Sequence, residues 1–432
     1  MTSTGYTSAC GFDFGTSNSA LGVSKGTSVG SDVKLVEFPD GKLTTPTAIF
    51  FDDDERRSFT GEDAKERYMA GDNGRYLRAL KSILGTSLMD EKTVVMGHKV
   101  PFNFIVSNFI TRVKEQAEQQ MDHSFENVVV GLPVFFFEDD EAKNVKAESA
   151  LKACFEEAGF RSVEFQFEPL AAAFDFERSL KKEALALIVD IGGGTSDFSI
   201  VRLGPERMQG GDRTEDILAN NGIRIGGTNF DRELSLNHAQ PLLGYKSTVK
   251  KFMQSESIAM PKWIYSDLAT WQKIAFLYSP STLRTVNKLL YQSNQPELIE
   301  RLVSVLENRS GHELAFAVET LKIAANQMDR GVQEIDLSFI EKGLMMGLSY
   351  NEVEFELEKF SSSLETTMIE TVKLAGVQKD DIDVAVLVGG SAQMGFVKKA
   401  VQRMFPDAEL TTGNFFEAIA YGLAIDARYR FA

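Results

Sequence analysis

The sequence predicts an α/β protein of two duplicated domains, each presenting a glycine-bearing hairpin turn to a shared cleft. Three observations carry that prediction. The chain has 432 residues, too many for one compact core, so two bodies of about 200 residues are expected. The stretch LIVDIGGGTSDFSIV (187–201) sets Asp190, Gly192, Gly193, Gly194, Thr195, Ser196 and Asp197 between two runs of strand-forming residues. CGFDFGTSNSALGV (10–23) repeats the pattern with Asp13, Gly15, Thr16, Ser17 and Asn18. The two copies lie roughly one domain length apart.

Each copy reads as a β-hairpin. Leu187-Ile188-Val189 and Phe198-Ser199-Ile200-Val201 have the β-branched and aromatic bias of buried strands, and the glycines between them mark the turn. Glycine is expected there to supply positive φ and, lacking Cβ, to let a ligand approach the backbone amides. Such amides form anion nests, to which Thr and Ser hydroxyls add donors. The carboxylates of Asp13, Asp190 and Asp197 would repel a bare phosphate. A cation must then stand between, most simply Mg²⁺ held partly through water. Two nests, two hydroxyl pairs and acids for a metal suit a Mg–nucleotide polyphosphate.

Composition bounds the alternatives. A net charge of −16 argues against a dedicated binder of nucleic acid or anionic membrane, both of which need clustered Lys and Arg. The acidic clusters Asp52-Asp53-Asp54-Glu55 and Glu138-Asp139-Asp140-Glu141 read as solvated loops. Cys10 and Cys154 have no metal-ligand spacing, and the four histidines are scattered. No apolar run reaches the length of a membrane span, and MTSTGYTSAC lacks the basic n-region and apolar core of a signal peptide, so neither is expected. A reducing, cytoplasmic compartment is the expectation. Neither a P-loop nor a dinucleotide-binding fingerprint occurs.

The two hairpins resemble the phosphate loops of the actin/hexokinase/heat-shock-70 ATPase superfamily. Further segments resemble the DnaK-type (heat-shock-70) chaperones in the family's order: TTPTAIFF (44–51), ALKSILG (79–85), VVVGLP (128–133), FEPLAAAFDFE (167–177), IRIGGTNFD (223–231), ETLKIAANQ (319–327), LVGGSAQM (387–394) and EAIAYGLA (417–424). The set is most similar to a short YegD-like branch with the nucleotide-binding half alone. The resemblance implies an actin-like ATPase fold: a lobe over 1–182 that regains 410–432, and a lobe over 183–409 with an enlarged, mostly helical outer part at about 232–350. Each lobe would carry a mixed five-stranded sheet.

The resemblance also implies roles. Lys81, in a segment with helical spacing, matches the lysine that contacts the γ-phosphate and attacking water. Glu168, before Pro169 at a helix start, matches the glutamate that orders that water and the metal's shell. Thr195 would bond the γ-phosphate, and Thr16 and Ser17, in the turn with Gly15 and Asn18, the β-phosphate. Asp13, Asp190 and Asp197 would serve cations or their waters, Mg²⁺ first and K⁺ second. Glu319, Lys322 and Asn326 share one helical face and would bind the nucleoside of ATP or ADP with Gly226, Gly227, Gly389, Gly390, Ser391 and Gln393.

Departures from the family pattern are visible. Gln393 stands where the chaperones carry an arginine stacked on adenine, and Phe416 replaces an aspartate. Pro133 matches a relay proline, but its arginine partner's position holds Glu148. The expectation is a chain without the acidic-Leu linker and β-rich substrate domain of the chaperones. Trp263 and Trp271 read as parts of a small core, with a partner surface as the alternative. Three functions are expected in turn: a slow Mg-dependent ATPase acting as a chaperone-like nucleotide switch with a protein client or co-chaperone, a non-catalytic nucleotide-gated binder or filament protein, and a small-molecule kinase.

Overall fold

The computed structural model describes residues 6–25, 33–137, 140–178, 180–207, 213–250, 257–327, 331–411 and 417–431. Phe416, Glu138 and Asp139 lie outside these residues. The described chain divides into two compact units: 1–223 with 366–393 and 401–432, and 224–365 with 394–400.

The first unit holds both hairpins, each at the centre of its own mixed sheet. Strands β1 (Tyr6–Phe14) and β2 (Asn18–Lys25) form the first hairpin, extended antiparallel by β3 (Val33–Leu35) and by the short β4 (Thr45–Pro46). On the other side, β5 (Asn127–Leu132) pairs parallel with β1, and β6 (Ser162–Phe167) parallel with β5. The helix α1 (Glu168–Glu177) follows directly.

The second sheet repeats this plan. Strands β7 (Ala184–Ile191) and β8 (Ser196–Leu203) form the hairpin, and β9 (Ile217–Ile223) extends it antiparallel. Strand β10 (Val384–Val388) pairs parallel with β7, and β11 (Glu409–Thr411) parallel with β10. The orders are β6-β5-β1-β2-β3 and β11-β10-β7-β8-β9. One topology, used twice, is the duplication expected from the hairpins; β4 makes the first sheet six-stranded rather than five-stranded.

Side-chain alternation builds the core, because neighbours along a strand point to opposite faces. From β1, Cys10, Phe12 and Phe14 join one cluster with Ile105, Phe109 and Phe155, while Ala9 faces another. That second cluster unites Ala186, Ile188, Val201 and Val386 of the second sheet with Leu170–Phe174 of α1 and Ile419 and Leu423 of the C-terminal helix α2 (Ala418–Phe431). The helices thereby serve both sheets. Gly422 lets α2 approach α1: a Cβ there would stand 1.9 Å from the Ala171 carbonyl oxygen.

Several expectations are corrected in this unit. Lys81 sits on a single 3₁₀ turn, Leu80–Ile83, introduced by Ala79 in the left-handed region (φ 56°, ψ 42°); helical spacing over so short a stretch does not make an α-helix. Asp52 is buried rather than solvated, since it accepts bonds from the Asp54 and Glu55 amides and pairs with Arg67 at 2.9 Å. A buried ion network also joins elements far apart in sequence. Fully buried Glu177 accepts hydrogen bonds from the two terminal guanidinium nitrogens of Arg213 at 2.6 and 2.9 Å, and Arg213 Nε donates to Asp216 at 2.7 Å.

The second unit is mostly helical, with Gly227–Leu234, Pro280–Gln292, Pro296–Glu307 and Gly311–Gln327 its main helices of eight or more residues before residue 330. It also contains two hairpins, Thr248–Lys250 with Ser257–Ala259 and Val332–Asp336 with Met345–Ser349. Trp271 is half-buried, its ring lying against those of buried His312 and Phe316. Trp263 is 47% exposed. Among the described residues, no helix is long and apolar enough to cross a membrane.

Candidate functional site

Both hairpin turns and the two elements bearing Lys81 and Glu168 belong to the first unit, where they assemble one polar site. The turns touch. A Cβ on Gly193 would fall 2.2 Å from Ser17 Oγ, so the second turn lies directly against the first and a side chain there would displace the hydroxyl. Gly15 is needed for a similar reason, because its Cβ would meet the Asn18 carbonyl oxygen at 2.2 Å. Positive φ, the role expected of these glycines, is not used: Gly15, Gly192, Gly193 and Gly194 all lack it. Gly194 instead faces open space beside exposed Thr195, leaving its backbone approachable.

Charge is concentrated behind the turns. Lys81 is buried and its ammonium donates to Glu168 Oε1 in an ion pair; the two side chains are 10% and 12% exposed. Asp190 and Asp197 lie directly opposite in the β7–β8 ladder, a placement in which like charges destabilise a sheet. Thr195 Oγ1 donates to Asp197 Oδ2 at 3.0 Å. Burial pushes the Asp13 carboxyl up to about 7, with Glu168 adding repulsion and Lys81 opposing it. Burial, then Glu168, Asp197 and Asp13, raise Asp190 well above the usual carboxylate range. Asp197 is pushed up to about 6, again mainly by burial. Burial works against the Lys81 charge, but Glu168, Asp13 and Asp190 outweigh it and raise its pKa.

One ammonium therefore sits among four carboxyl groups. Ionising all four without added positive charge is costly, so the donor set fits a cation. Among the described residues, no three carboxylate, His or Cys side chains are close enough to grip a metal directly.

Three further glycines line these acids. Gly131 backs Glu168, Gly222 backs Asp197 with a would-be Cβ 2.7 Å from Oδ1, and Gly389 (φ +79°) lies 3.1 Å on the same measure from Asp190 Oδ1. Glycine inside a strand was the available signal for Gly131 and Gly222, since it often marks close approach.

Of the expected nucleoside contacts, Gly389, Gly390, Ser391 and half-buried Gln393 belong to the first unit, at and just after the end of β10. Gly226, Gly227, Glu319, Lys322 and Asn326 belong to the second. Within that unit Lys322 is buried and pairs with Asp231 at 2.7 Å. Asn326 Oδ1 accepts the Gly395 amide at 3.1 Å. Gly226 precedes the helix Gly227–Leu234, and its amide donates to Asn229 Oδ1 at 3.0 Å.

A duplicated sheet with hairpin turns meeting at a lysine and acids defines an actin-like ATPase fold. The profile described as Hsp70 protein matches residues 9–251 and 304–429, and the chain belongs to the Hsp70 protein family. Membership brings the family's general character, ATP-binding and chaperone-type. Residues 252–303, which include Trp263, Trp271 and the helix Pro280–Gln292, fall outside the match.

Proposed function

We propose that this protein binds ATP and ADP with Mg²⁺ and hydrolyses ATP slowly, the bound nucleotide acting as a switch. The observation that supports it best is the contact of the Gly193 turn with Ser17 beside the Lys81–Glu168 pair. In this reading the Gly192 amide closes the second turn on the Thr195 carbonyl at 3.0 Å, the amides of Gly15–Asn18 and Gly193–Thr195 receive the phosphates, and the Thr16, Ser17 and Thr195 hydroxyls add donors. Lys81 spends one of its three donors on Glu168 and keeps two for the transferred phosphoryl group. Glu168 accepts a hydrogen bond from the attacking water and so orients it. Asp13, Asp190 and Asp197 would hold a hydrated Mg²⁺, which when bound neutralises phosphate charge and the acids together. K⁺ is a second candidate for the same acids.

Glu319, Lys322 and Asn326 with Gly226 and Gly227, and Gly389, Gly390, Ser391 and Gln393, are assigned to the nucleoside. Lobes at 1–182 with 410–432 and at 183–409 would close on it, and that closure would be read by a client or co-chaperone. Two buried free thiols, Cys10 and Cys154, accord with a reducing, cytoplasmic setting.

Single-turnover phosphate release from ATP and Mg²⁺, without an added acceptor, tests the reading. Wild type should release phosphate, and Lys81→Met should lose about 10²–10³-fold in rate, the usual effect of removing a charge-stabilising donor. Tight binding without release would mean a nucleotide-gated binder. Release of ADP only with an added acceptor would mean a kinase.

A further inference from the structure

Thr47, a residue without a role in the proposed chemistry, is tied to both the first turn and the lysine-bearing segment. It is buried, just past β4. Its hydroxyl donates to the Gly15 carbonyl at 2.8 Å and accepts from Ser19 Oγ at 2.8 Å, a side chain that is also buried. Its amide donates to the Ser17 carbonyl at 2.8 Å. Its carbonyl accepts the Ala79 amide at 3.2 Å, where the chain turns through the left-handed region into the 3₁₀ turn bearing Lys81.

We infer that Thr47 is a positioning residue for the phosphate site, clamping the first turn and hanging the Lys81 segment from the same point. The inference rests on reading that turn as a phosphate site. Two backbone carbonyls of a three-residue turn end on this one residue. Carbonyls held from behind leave the turn's amides aimed outward, toward an anion. The Ala79 bond sets where Lys81 starts, and left-handed φ is uncommon for alanine and needs such support. The hydroxyl is the replaceable part of the clamp: valine keeps the shape and both backbone bonds but leaves the Gly15 carbonyl and Ser19 Oγ without their buried partner.

The test measures ADP binding by calorimetry in Mg²⁺ and adenosine binding by ligand-observed NMR for wild type, Thr47→Val, Thr47→Ala and Thr47→Ser. Thermal unfolding identifies which variants are folded, and alanine is included because it removes the hydroxyl without adding a methyl contact. Loss of the hydroxyl should weaken ADP by about tenfold and leave adenosine unaffected, because only phosphate meets the turn. Thr47→Ser should recover ADP affinity. Equal weakening of ADP and adenosine, an unchanged ADP affinity, or failure of serine to recover it would overturn the inference while the phosphate reading stands. A wild-type protein that binds no ADP would remove that reading and the inference with it.

Discussion

Replacing Lys81 with methionine takes the ammonium out of the carboxylate group while roughly preserving side-chain volume. In the structure the Lys81 and Glu168 side chains are 10% and 12% exposed, and removing one partner of a buried pair costs about 3–5 kcal/mol. Recovering the burial cost of the ammonium offsets part of this, so a loss of about 3 kcal/mol is expected where the acids are ionised. That loss must depend on pH. Asp13 and Asp197 have folded-state pKa values raised to about 7 and about 6. A carboxyl raised on folding contributes stability that is full below its unfolded pKa and is lost as pH rises through the folded one. Without Lys81 these pKa values rise further, so the variant loses stability more steeply across the neutral range. Urea unfolding of nucleotide-free protein at about pH 5.5 and about pH 8 should give a deficit near 1 kcal/mol at the lower pH and about 3 at the higher. An equal deficit at both, or a larger one in acid, would refute the electrostatic account of the site.

Other substitutions probe other parts of it. Asp190→Asn removes one of two acids facing each other across the β7–β8 ladder; nucleotide-free protein should gain about 1–2 kcal/mol at pH 8 in urea unfolding, while Mg-dependent ADP affinity falls. Gly193→Ala would put a Cβ 2.2 Å from Ser17 Oγ; the hydroxyl can swing away, so stability should change by less than about 1 kcal/mol and calorimetry should show clearly weaker ADP binding. Arg213→Met strands the fully buried Glu177 carboxylate and should cost about 3–5 kcal/mol in urea unfolding, with ADP affinity of the folded fraction unchanged.

The hairpins were legible because β-branched runs broken by Gly, Thr and Asp have few other readings, and their repetition exposed the duplicated fold. Local conformation was less legible. Positive φ was expected of the turn glycines because that is glycine's commonest use; the structure uses the missing Cβ of Gly15 and Gly193 for contact instead. Leu80, Ile83 and Leu84 have helical spacing, yet one 3₁₀ turn suffices to bury Leu80 and Leu84. Pairings across long sequence separations left no trace: Glu177 with Arg213, Asp52 with Arg67, and Thr47 with Gly15 are made by the fold rather than by any local pattern. Trp263 shows the limit of composition, since two nearby tryptophans suggest one small core, yet Trp263 is exposed and Trp271 only half-buried against Phe316.

The most direct test of the account is titration calorimetry of the intact protein with ADP, with Mg²⁺ present and then replaced by a chelator. Acids crowded around one lysine, with two amide-lined turns in contact, predict micromolar binding that weakens sharply without Mg²⁺, together with proton release on binding near pH 7 as Asp13 ionises. No heat with ADP in either condition, or binding indifferent to Mg²⁺, would contradict the claim that the paired turns and their carboxylates form a metal–polyphosphate site.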